Sequence, residues 1–138
     1  MLALEWIDPP FFGGHWVPAM IEAAGGRDVF GVAGARSMET TWESVAGAAP
    51  DVVVVMPCGL DRARTETELA RTDLPQAWWA LPAMRSGRVY AVDGSAFFSR
   101  PGPRLVDGVE ILYEILHPDR VGRRHGESAW RPCRPVRS

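Results

Sequence analysis

Residues Trp42–Gly59 read WESVAGAAPDVVVVMPCG, and this stretch decides the fold class. Thr40 and Glu43 have the T-x-x-E spacing of a capping box, so a helix is expected from there to about Ala48. Pro50 breaks it. Val52–Met56 is then an uninterrupted aliphatic run with no polar alternation, which marks a strand covered on both faces. A helix feeding straight into a doubly covered strand is the repeating unit of a parallel sheet.

The same grammar extends outward in both directions. Leu2–Ile7 is a short apolar run stopped by Asp8-Pro9-Pro10, hence a buried strand. Val17, Met20, Ile21 and Ala24 share one helical face, with Pro18 in the first turn and Gly25-Gly26 as the stop. Asp28–Gly31 reads as a weak strand. Asp61–Arg71 reads as a surface helix capped by Asp61, with Glu66 and Glu68 on a solvated face. Gln76–Leu81 is a helical turn, with one ring of Trp78-Trp79 expected in the core. Arg88–Val92 is a strand. Pro103–His117 is a helix with Leu105, Val109, Leu112 and Leu116 as its buried stripe and Asp107, Glu110 and Glu114 outside. The expected fold is α/β, a three-layer lobe with a mainly parallel central sheet and helices on both faces.

Composition narrows the function classes. The chain has 138 residues, 46% of them hydrophobic and 23% charged, which suits one globular domain. A net charge of −2 gives no reason to expect nucleic acid. All 15 basic residues are arginine. They are unevenly spread: the part before Pro118 is acidic, whereas residues 118–138 hold six arginines against Asp119 and Glu127. Residues 1–118 are therefore read as the lobe and 119–138 as a basic, flexible tail. Cys58 and Cys133 make neither a disulfide framework nor a zinc site. The amino terminus lacks a signal-peptide pattern, and no apolar run approaches membrane-spanning length. As written the chain is expected to be cytoplasmic, or periplasmic or extracytoplasmic if an amino-terminal half precedes it.

Ligands of open α/β sheets sit beyond the carboxyl ends of the strands. The loops expected there hold Phe11, Phe12, His15, Trp16, Cys58, Phe97, Phe98 and Arg100, and Trp42 leans over the same end. So many rings in turns that ordinarily run polar point to stacking on a flat ligand. The bland alternative is that some of them only cover the sheet edge. No catalytic signature is present: no G-x-G-x-x-G, P-loop, G-x-S-x-G or H-E-x-x-H. No catalytic residue and no metal ligand is assigned.

The ordered series EWIDPPFFGGHWVP, IEAAGG, WESVAGAAPDVVVVMPCG, GRVYAVDG and FFSRPGPRLVDGVEILYEILHP resembles the carboxy-terminal lobe of the cobalamin and iron-siderophore solute-binding proteins of ABC importers. The resemblance runs from about Leu2 to Pro118. It implies two α/β lobes around a cleft, with the turns Phe11–Trp16 and Ala96–Arg100 lining it and a ring near Phe97 or Phe98 facing a corrin. The implied cargo is a corrinoid or iron chelate, with no cofactor of the protein's own, and the implied partner is an importer permease. One departure is Ala19, where near-matches carry a glutamate that docks on the importer; Glu22 is a weak substitute.

The sequence-based reading is thus a non-enzymatic ligand-binding lobe that needs an amino-terminal lobe to complete its cleft. Stacking by Trp16 and Phe98 would hold the ligand, with Arg100 on a polar group. Two rivals stand beside it. One is a truncated or stand-alone interaction domain. The other is a metal-centre enzyme fragment using His15 and Cys58, which rests on fold analogy alone.

Overall fold

A computed structural model describes residues 1–135 of the chain. In chain order the elements are β1 Leu2–Trp6, β2 Phe11–Phe12, α1 Val17–Ala23, β3 Met38–Glu39, α2 Trp42–Ala48 and β4 Val53–Val55. They continue with α3 Arg62–Arg71, α4 Gln76–Trp79, α5 Pro82–Ser86, β5 Val89–Val92, α6 Gly94–Phe97, α7 Arg104–Leu116 and β6 Trp130–Pro132. The six strands lie in the order β3-β2-β1-β4-β5-β6. β1, β4 and β5 form a parallel centre, Leu2 opposite Val53 and Val53 opposite Val89. The outer pairings, β1–β2, β2–β3 and β5–β6, are antiparallel.

Strand alternation divides the apolar residues between two faces. Ala3, Val54 and Val92 pack with Val17, Met20 and Ile21 of α1 and with Ile111, Leu112 and Ile115 of α7. Leu2, Leu4, Val53 and Val55 pack with Val45 of α2, Leu69 of α3 and Trp78 of α4. The Val52–Met56 run is buried throughout, because helices cover it on both sides. That is the expected three-layer α/β arrangement, with antiparallel strands added at both edges of the parallel centre.

Local expectations are corrected in four places. The α2 cap is Thr41, whose side chain accepts from the Ser44 amide; the Thr40 amide instead donates to Pro10 O at 2.8 Å, continuing the β-layer. Asp28–Gly31 is no strand: Asp28 Oδ1 accepts from the amides of Phe30 and Gly31, so the side chain takes the donors a ladder would have used. Glu66 is not simply solvated, since Arg62 and Arg131 both hydrogen-bond to it. In α7 the deepest residues are Gly108, Ile111, Leu112 and Ile115, while Leu105, Val109 and Leu116 are half-buried. Glu114, expected outside, is buried because the following segment folds over that face.

That segment is the fifth difference. The lobe does not stop at 118: Ala91 pairs with Arg131 and Val92 with Trp130 across β5 and β6. Trp130 packs on Tyr90, and the Arg123 guanidinium stacks over the Trp130 ring at 3.9 Å. Residues 136–138 of the expected tail lie outside the described residues.

Candidate functional site

β1, β4 and β5 end on one edge of the sheet, and the turns that follow them converge. After β1 the chain doubles back into β2, and Gly14 and His15 bring it to the start of α1. The Gly14 amide donates to Ser37 Oγ at 3.1 Å, and Ser37 Oγ hydrogen-bonds to the Glu5 carboxylate. His15 sits at φ +56°, a left-handed conformation that costs a non-glycine residue about 1–2 kcal/mol. Two backbone bonds hold it there: the His15 amide to Ala35 O at 2.6 Å and the Gly34 amide to His15 O at 2.9 Å. A Cβ at Gly14 would collide with the backbone of Arg36 and Ser37, so this turn tolerates only glycine.

The other two turns are tied to the first. Trp16 Nε1 donates to Phe98 O at 2.7 Å, linking the turn after β1 to the end of α6. The Gly59 amide, beyond β4, donates to Ser99 Oγ at 3.2 Å, and Ser99 Oγ donates to Gly94 O at 2.7 Å. The result is an open groove of about 480 Å³, walled by Trp6, Phe11, His15, Trp16 and Cys58, with Glu5, Ser37 and Ser99 as its polar groups. The His15 and Trp16 rings are 5.6 Å apart and tilted at 37°. The backbone bonds around His15 and the side-chain bonds of Ser37, Trp16 and Ser99 brace the three turns against one another, which lowers the ordering cost of binding.

Of the sequence-predicted residues, Phe11, His15, Trp16 and Cys58 meet in this groove. The others do not. Phe12 turns to the opposite face against Phe30 at 5.3 Å. Trp42 packs edge-on against buried Trp78. The Phe98 ring is 3% exposed inside the α1–α7 core, so it cannot stack on a ligand; only its carbonyl serves the groove. Phe97 is half-buried under the Arg104 guanidinium, 4.9 Å from its ring centre. Arg100 lines a separate, polar hollow of about 500 Å³ with Arg64, Arg104, Asp61 and Asp93.

Sequence reasoning missed Trp6, 39% exposed, and the polar residues Glu5, Ser37 and Ser99. Trp6 was legible as the last residue of an apolar strand with nothing left to cover it. Ser37 carried no signal, because its position depends on the long loop that leads from α1 into β3. Among the described residues, the single group of three closely spaced metal-type donors is Asp107, Glu110 and His125, which does not include His15 or Cys58.

No family model and no curated protein sequence matches the chain. Solved structures do. An ABC-type Fe3+-hydroxamate transport protein from Saccharomonospora viridis superposes with a TM-score of 0.65 at 27% identity, over 83% of this chain and 40% of that one. The chain has the fold of one lobe of an ABC-importer solute-binding protein. The periplasmic vitamin B12 binding protein of Vibrio cholerae matches at TM-score 0.66 and 22% identity, over 85% of this chain and 43% of that one. A periplasmic heme binding protein from Pseudomonas aeruginosa matches at 0.67 and 20%, over 91% and 48%. The chain thus spans less than half the length of each of these structures. This is the lobe architecture that the sequence resemblance implied.

Proposed function

We propose that this chain forms one wall of the ligand cleft of an ABC-importer solute-binding protein. Its cargo is a flat, metal-bearing ligand: cobalamin, a related corrinoid, haem or an iron chelate. The observation that carries the reading is the aromatic groove at the carboxyl ends of β1, β4 and β5, on a lobe of this fold. Trp6, Phe11 and Trp16 offer ring faces for stacking, while Glu5, Ser37 and Ser99 offer polar anchors at the groove floor. The protein acts by enclosure, with no cofactor of its own and no bond made or broken.

The working protein is extracytoplasmic and hands its cargo to an importer permease. Among the described residues no helix is long and apolar enough to cross a membrane. The exposed Ala19 and Glu22 of α1 replace the usual acidic dock, so permease contact is weak at this point. The groove is open on one side, and a second lobe must supply the opposite wall. Every ~1.4 kcal/mol that the opposite wall would add is tenfold in affinity, so the single wall binds more weakly than a closed cleft.

The test is calorimetric titration of the chain with cyanocobalamin and, separately, hemin. Saturable binding to either is expected, weakened at least tenfold by Trp16→Ala and by Trp6→Ala with the circular dichroism spectrum retained. The reading fails if neither ligand binds at millimolar concentration, or if both substitutions leave affinity unchanged.

A further inference from the structure

We infer that α7 and the segment folded over it form a divalent-cation site of zinc type, at Asp107, Glu110 and His125 with Glu114 behind them. Asp107, Glu110 and Glu114 recur along one side of the helix at spacings of three and four. His125 arrives from the segment that carries β6. Donor atoms of Asp107, Glu110 and His125 all lie within 4.8 Å of one another.

Glu114 supplies an independent observation. Its side chain is only 5% exposed. Oε1 is fully engaged, accepting from Trp130 Nε1 at 3.2 Å and from the amides of Arg124 and His125. Oε2 is buried, accepts no hydrogen bond among the described residues, and faces His125 Nε2, which is equally buried and unpartnered. A buried carboxylate oxygen without a partner is costly.

The separations favour a cation between these groups. His125 Nε2 is 3.5 Å from Glu110 Oε2 and 3.7 Å from Glu114 Oε2. A charge-assisted N–H···O bond closes to about 2.7–2.9 Å. Two ligands at about 2.1 Å from a tetrahedral ion stand roughly 3.4 Å apart. An imidazole among carboxylates suits zinc, whereas calcium and magnesium prefer an all-oxygen set. Arg124, whose Nη1 lies 3.7 Å from Glu110 Oε2, is 80% exposed and free to swing away. Such an ion would staple α7 to the 119–132 segment and so hold β6 on the sheet.

The experiment strips the chain with EDTA and titrates it with Zn2+ by calorimetry, in the native sequence and in a Cys58→Ser/Cys133→Ser background that removes thiol binding. One Zn2+ per chain is expected in both, with the thermal midpoint raised by the metal. His125→Gln and Glu110→Gln should each weaken binding at least tenfold and abolish the zinc-induced shift. Asp107→Asn, remote from the Trp130 contact, tests the site if either of those fails to fold. Zinc binding that survives all three substitutions overturns the proposal. Absence of zinc binding by the native chain overturns it too.

Discussion

Trp16 and Phe98, 82 positions apart in sequence, are joined by an indole-to-carbonyl hydrogen bond of 2.7 Å. The bond ties the turn after β1 to the end of α6, and it leaves the Trp16 ring as groove wall while the Phe98 ring fills the core. Trp16→Phe keeps a ring but removes the donor, stranding a carbonyl on a buried residue. A loss of about 1 kcal/mol in stability is expected, seen as a thermal midpoint lowered by roughly 4 °C. Trp16→Phe should retain more ligand affinity than Trp16→Ala; equal losses would mean that stacking contributes nothing.

Phe98 and Trp6 separate stability from binding. Phe98→Ala opens a cavity between α1 and α7 and should destabilise by about 3–5 kcal/mol. Trp6→Ala removes a partly exposed ring and should shift stability by less than about 1 kcal/mol while weakening ligand binding. Urea denaturation of both variants beside the titrations checks this, and comparable destabilisation by the two would contradict their burial.

Glu66 makes the attachment of β6 depend on pH. Burial pushes its carboxyl up, but hydrogen bonds from Arg131 and Arg62 outweigh this and hold it below its ordinary 4.5. A carboxyl depressed in the folded state stabilises fully above its unfolded pKa and loses that contribution as pH falls through the folded value. The urea midpoint of the native chain should therefore decline as pH drops below about 4.5. Glu66→Gln should be less stable at neutral pH and show a shallower acid decline. Parallel curves for the two proteins would show that the pair contributes nothing.

The two cysteines should react in a defined order. Cys58 is exposed at the groove mouth. Burial, with Glu66 nearby, pushes the Cys133 thiol up to about 11. Since the thiolate is the reactive form, iodoacetamide at pH 8 should label exposed Cys58 well before half-buried Cys133. Bound ligand should slow labelling of Cys58. Mass mapping of the labelled peptides tests both statements, and equally fast labelling of the two in the native state would contradict the raised Cys133 thiol.

How much of this was legible varies with the length of the signal. Val52–Met56 announced a doubly covered strand because five aliphatic residues in a row leave no polar face. The two-residue strands β2 and β3 are too short to show alternation, and their pairing comes from the turn geometry after β1. β6 is only Trp130-Arg131-Pro132, with a charged residue and a proline among its three, so nothing in its local pattern marked it; Trp130 is buried because Tyr90, Arg123 and Glu114 receive it.

The groove was half legible for a related reason. An excess of rings in turns is a property of composition, readable without knowing where each ring points. Whether Phe98 or Trp16 faces the groove is decided by the direction in which the backbone leaves β5 and enters α1, and local sequence does not encode that direction.

By itself, then, the sequence determined the layered α/β lobe and the edge of the sheet where its aromatic turns gather, because hydrophobic period and turn chemistry are local. The tertiary structure alone decided which rings line the groove, that Glu114 is buried beside His125, and that Trp130–Pro132 complete the sheet. Each of those depends on contacts between segments distant in sequence, where burial is set by the partner that arrives.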